Sequence, residues 1–114
     1  MKLIKSFGYA FTGLLVAMKE QVNLRIHVST ALLVIAAGFY FQITPGEWAV
    51  ILFSMALVIS LELVNTSIEN LTDLVTLERK PLAGKVKDIA AAAVMVSCIA
   101  AMIIGLVVFS KYIF

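Results

Sequence analysis

Three long apolar runs constrain this chain more than any other feature. They occupy roughly 28–43, 48–61 and 89–109, and at 1.5 Å rise per residue stretches of this kind fit the hydrocarbon core of a bilayer, about 30 Å thick, as helices. Of the 114 residues, 62% are hydrophobic and 14% charged, against about a quarter charged in a soluble domain. Lipid is therefore part of the solvent. Three spans and a surface helix use up nearly the whole length, so the chain reads as a single unit, 1–114, whose function lies at the membrane. A net charge of +2 with basic residues grouped by segment argues against nucleic acid as a partner. The one cysteine, Cys98, sits inside an apolar run with no second cysteine to pair with, and reads as packing.

Ahead of the spans, Leu3, Phe7, Phe11, Leu14, Leu15, Met18 and Val22 recur near helical spacing with Lys2, Lys5, Lys19 and Gln21 between them. This predicts an amphipathic helix over 1–25 lying in the interface. A first span follows over 28–43, and Thr44, Pro45, Gly46 and Glu47 read as a tight turn. The next helix, 48–76, begins apolar and becomes polar at Glu62, Asn65, Thr66, Glu69, Thr72 and Asp73, so it outlasts the membrane. Glu62 lies about 21 Å along the axis from the interfacial Trp48, and Asp73 about 16 Å further. The stretch from Leu77 to Asp88, with Arg79, Lys80, Pro81, Gly84, Lys85 and Lys87, reads as a basic loop before the last span at 89–109. Four basic residues precede the first span, four occupy the second loop and none the first. The positive-inside rule accordingly puts the N-terminus and second loop in the cytoplasm.

At 100° per residue, Glu62, Asn65, Thr66, Glu69 and Asp73 fall within an arc of about 100° on one helix face. Acidic groups this close to lipid must pair, line a watery cleft or hold a cation, so the stripe is a functional candidate. Phosphoryl transfer from ATP requires a divalent cation, a positive side chain and a base aimed at the attacking hydroxyl. Glu62 lies where a lipid hydroxyl would sit, Glu69 is two turns nearer the cytoplasm, and Lys87 with Asp88 enters from the following segment. No Gly-x-x-x-x-Gly-Lys phosphate loop occurs.

The run Glu62-Leu63-Val64-Asn65-Thr66-Ser67-Ile68-Glu69, then Asp73, then Lys87-Asp88-Ile89-Ala90-Ala91-Ala92-Ala93-Val94 resembles two signatures of the small bacterial lipid kinases of the diacylglycerol kinase and undecaprenol kinase family. These are Glu-x-x-Asn-Ser/Thr-x-Ile-Glu…Asp and Ala-Lys-Asp-x-Ala/Gly-Ala/Ser-Ala-Ala/Gly-Val. The resemblance implies an all-α fold of an interfacial helix plus three transmembrane helices, assembled as a homotrimer in the bacterial inner (plasma) membrane. It implies ATP as co-substrate, Mg²⁺ as cofactor and a membrane lipid alcohol as acceptor, with undecaprenol favoured over diacylglycerol by a few letters of wording. By the same resemblance Glu62 is the catalytic base and Glu69 a metal ligand. The ATP site then draws on Lys2, Tyr9, Asn65, Glu69, Glu78, Arg79, Lys80, Lys87 and Asp88.

One departure stands out. Where the family pattern reads Glu-x-Asn-Phe/Leu-Arg/Lys/Gln-Ile/Phe-His, this chain has Gln21, Val22, Asn23, Leu24, Arg25, Ile26 and His27. The second metal position is therefore Gln21, which offers one carbonyl oxygen in place of a carboxylate, with Glu20 as the neighbouring acid. The competing reading is a small multidrug or ion transporter in which Glu62 and Glu69 line a polar pathway.

Overall fold

Each of the four helices starts where its own residues supply or dispense with a cap. The computed structural model describes residues 1–114 and contains α1 (Lys2–Glu20), α2 (Val22–Phe41), α3 (Pro45–Val75) and α4 (Pro81–Ile113), with no strand. The last three are long and apolar enough to cross a membrane. The fold is all-α, as the apolar periodicity predicts.

Helix limits differ from the sequence expectations at three places. The first helix ends at Glu20 rather than 25, because Gln21 adopts an extended backbone (φ −113°, ψ 110°) and separates α1 from α2 by a single residue. Arg25 fixes this corner by donating from Nη1 to the carbonyls of Met18 and Lys19, 2.8 and 2.9 Å away. A guanidinium there answers the unpaired carbonyls at the end of α1. Leu24 is fully buried inside the corner. Neither proline nor glycine marks the break, so periodicity alone ran through it.

The second difference is at 44–47, where the expected turn is already helix. Pro45 takes the first helical position, where its missing N–H and fixed φ are harmless. Thr44 and Glu47 form a reciprocal capping box, with Thr44 N donating to Glu47 Oε1 (2.9 Å) and Glu47 N donating to Thr44 Oγ1 (3.2 Å). The reversal itself is made by Gln42 in the left-handed region (φ 53°). The third difference is the basic segment: only 76–80 connects α3 to α4, and Pro81 again opens a helix. Lys85, Lys87 and Asp88 are thus held on α4 rather than in a loop.

α2 and α3 form a hairpin closed by Trp48. A Cβ on Gly38 would lie 2.6 Å from the Trp48 ring, so only glycine admits that ring against α2. α3 packs on α4 along much of its length, and a small core of Ile43, Ile51 and Val108 joins the three helices at the Trp48 end. α1 buries only Ala17 and lays Leu3, Ile4, Phe7 and Phe11 open, an amphipathic helix with its apolar residues unpartnered by protein. Only 14 of the 114 residues are buried in the isolated chain. Most of its apolar surface is left for lipid or for other copies.

Candidate functional site

The polar half of α3 carries the site. Glu62, Asn65 and Thr66 are each 5% exposed or less although all three are polar. Their placement follows from helical spacing, which turns positions 62, 65, 66 and 69 toward one side. Glu62 Oε1, Asn65 Oδ1 and Thr66 Oγ1 have no hydrogen-bond partner. Buried polar atoms in folded proteins are nearly always paired, so three orphans within two turns mark a place built for something else. The imidazole of His27 on α2 comes near Glu62, with Nε2 4.0 Å from its Oε2.

One turn on, Asn65 Nδ2 donates to Glu69 Oε1 at 3.2 Å, which holds the Glu69 carboxylate over the helix face. A further turn brings Asp73, and here Lys87 of α4 completes an ion pair with Nζ 2.7 Å from Oδ1. Lys87 therefore meets Asp73 directly and stands about a turn away from Glu69. Asp88 is exposed. Around this pair, Glu78, Arg79 and Lys80 of the connection line one cleft of about 500 Å³ together with Asp73 and Lys87. Lys80 also approaches Glu78, with Nζ 3.7 Å from Oε2.

The structure thus gathers Glu62, Asn65 and Glu69 along one helix face and Glu78, Arg79, Lys80 and Lys87 around the adjoining cleft. It does not bring Lys2 or Tyr9 to them within one chain: both lie on the exposed N-terminal half of α1, and Tyr9 is 75% exposed. Gln21 sits half-buried in the α1–α2 corner. Glu20, beside it, lines a cavity of about 370 Å³ between α1 and α3 together with Thr66 and Asn70. Thr66 and His27 were not among the residues assigned roles from the sequence. Thr66 was legible in the stripe, whereas the approach of His27 needed the hairpin.

No group of three or more His, Cys, Asp and Glu side chains is arranged to hold a metal ion. The donors present are a carboxylate at Glu69 with amide and hydroxyl neighbours. This set suits Mg²⁺, which commonly takes one or two carboxylates and completes its shell with water and substrate phosphates.

Comparison with known proteins gives the family. The prokaryotic diacylglycerol kinase family matches residues 8–109. An undecaprenol kinase of Bacillus subtilis is 37% identical over 108 residues, covering 95% of this chain and 88% of its own length. A diacylglycerol kinase of Synechocystis is 40% identical over 90% of this chain, which spans 59% of that relative. A diacylglycerol kinase of Haemophilus influenzae is 32% identical over 94% of this chain and 92% of its own length. Nothing among these relatives supports a transporter. With its apolar helices, its buried acid and this similarity taken together, the chain belongs to the prokaryotic diacylglycerol kinase family and is an integral-membrane lipid kinase of bacterial type, a phosphotransferase with an alcohol acceptor and ATP as co-substrate.

Proposed function

We propose that this kinase phosphorylates a polyprenyl alcohol, undecaprenol in preference to diacylglycerol, with Glu62 as the base. The observation that carries the reading is the orphaned Glu62 carboxylate, buried at the lipid-side end of a stripe whose other end opens on a basic cleft. The lipid hydroxyl gives its proton to Glu62 as its oxygen bonds to the γ-phosphorus, and the bond from phosphorus to the ADP oxygen breaks. Asn65 orients Glu69. Lys87, with Arg79 and Lys80, supplies positive charge for the phosphates, Glu78 lines the same cleft, and Asp88 enters from the exposed side of α4. Glu69, with Gln21 or Glu20, would hold Mg²⁺, which neutralises phosphate charge when bound.

Two further elements belong to the same reading. The N-terminus and the 76–80 connection with the start of α4 face the cytoplasm, where ATP is available, because the four basic residues before the first span and then Arg79, Lys80, Lys85 and Lys87 lie there. The active unit is a homotrimer, in which Lys2 and Tyr9 of one subunit reach the ATP site of another; the small buried fraction of the single chain supports this. Preference for undecaprenol is supported by the Bacillus subtilis relative, an undecaprenol kinase matched along most of both chains.

The test uses purified full-length protein in mixed micelles with γ-labelled ATP, Mg²⁺ and either lipid. Transfer to undecaprenol is expected to exceed transfer to diacylglycerol by about tenfold in kcat/KM, and sealed right-side-out vesicles should give no product from external ATP. Equal use of both lipids would overturn the acceptor choice, product from external ATP would overturn the orientation, and no transfer to any lipid alcohol would overturn the site.

A further inference from the structure

The buried residues of α2, Leu24, Ala31 and Gly38, recur every seven positions and mark the stripe that faces α3. His27 follows Leu24 by three residues and precedes Ala31 by four, so it lies on that stripe. Two closures fix its height against α3. Trp48 seats on Gly38 at one end of the hairpin, and Arg25 ties the start of α2 to the carbonyls of α1 at the other. From this held backbone the imidazole reaches Glu62, with Nε2 4.0 Å from Oε2, and its side chain is 20% exposed against 2% for the acid.

A low dielectric favours the neutral form of a carboxyl group, which cannot take a proton from a hydroxyl. A base in such a place needs a cation beside it. No lysine or arginine comes within 4.0 Å of Glu62. Those of this end are committed elsewhere: Lys87 to Asp73, and Arg25 to the carbonyls of Met18 and Lys19. Lys19 itself is exposed on α1. The other titratable groups around this place carry no positive charge. They are Glu69, two turns further along the same face of α3, Cys98 of α4, which lines a groove with His27, and Glu20 of α1, in the cleft with Thr66. Histidine changes charge near neutral pH, and as imidazolium it carries a proton on each ring nitrogen.

We propose that His27 is the positioning residue of the candidate base: as imidazolium it directs its Nε2 proton to Glu62 Oε2, keeps the carboxylate ionised, and leaves the unpartnered Oε1 for the lipid hydroxyl. A closure of about 1 Å turns the present approach into a charge-assisted hydrogen bond. The inference rests on the reading of Glu62 as the base and adds the group that makes a buried acid fit for that task.

His27 is the single histidine of the chain, so nitrogen NMR of protein grown on isotope-labelled histidine reports on this ring alone. At about pH 7 both ring nitrogens should be protonated in the wild type and only one in Glu62→Gln. In the kinase assay at the same pH, His27→Gln should lose about tenfold in kcat while KM for ATP and for lipid stays within about twofold. That deficit should close as pH rises, because the wild type then loses its imidazolium while the carboxylate ionises in both proteins. A side chain that only packs would give the same loss at every pH. Identical ring patterns in wild type and an inactive Glu62→Gln, or a pH-independent deficit in His27→Gln, would overturn the proposal and leave Glu62 as the base. Most of the wild-type turnover surviving in Glu62→Gln would overturn the base reading, and this inference with it.

Discussion

Two carboxylates fifteen residues apart on α3 meet opposite fates. Glu47, at the Trp48 end, is fully engaged: Oε1 accepts from the Thr44 backbone and from the Tyr112 hydroxyl, and Oε2 lies 2.7 Å from Lys111 Nζ. Glu62 is more deeply buried, and its Oε1 has no hydrogen-bond partner. Where an acid serves the fold, partners from two helices converge on it. On the proposed reading of Glu62 as the base, its partner is left for the substrate to supply, and stability is given up locally to keep the oxygen available.

The sharpest way to break this contrast is to neutralise each acid in turn, beginning with Glu62. Glu62→Gln keeps shape and removes the base, so turnover should fall by about 10²–10⁴-fold, with nucleotide binding and assembly retained. Most of the wild-type turnover surviving, with labelled ATP as the readout, would leave Glu62 a positioning residue only.

A smaller effect is expected at the corner beside the site, where this chain has an amide in place of an acid. Gln21→Glu should lower the Mg²⁺ concentration for half-maximal activity by about threefold through added negative charge, with little change at saturating metal. If Glu20 already serves, as its place on the cavity with Thr66 suggests, Glu20→Gln raises that requirement and Gln21→Glu leaves it unmoved. Titration curves that coincide for all three proteins would remove α1 from the metal site.

The smallest change in activity belongs to Glu47→Gln. It loses the charge paired with Lys111 and weakens the capping box, so the unfolding temperature in detergent should drop by a few degrees while kcat and KM for ATP stay as they were. A clear fall in kcat would mean that the two ends are coupled and that the contrast between them is false.

The spans and the acidic stripe were legible because both are local: apolar runs and a 3.6-residue period appear in any window long enough to hold them. The capping box at Thr44 and Glu47 was equally local, yet the Thr-Pro-Gly-Glu run carries turn residues that obscured it. Pro45 and Pro81 read as breakers when each opens a helix. The break at Gln21 had no local signal, since Arg25 creates it by reaching back to carbonyls six and seven residues away. Long-range pairs were out of reach altogether. Nothing in the sequence joins Glu47 to Lys111, or His27 to Glu62, before the helices are folded side by side.

α3 runs unbroken for 31 residues, about 46 Å at helical rise, with Trp48 seated against Gly38 near one end. Such a rod acts as a depth gauge. If Glu62 is the base proposed above, the level at which it would meet a lipid hydroxyl is a fixed length along the rod from the Trp48 indole, and no hinge within the helix can adjust it. Membrane thickness and rod tilt thereby enter the chemistry as mechanical variables: a thicker bilayer draws the headgroup plane away from the carboxylate, and leaning the rod carries the acid further from that plane rather than nearer.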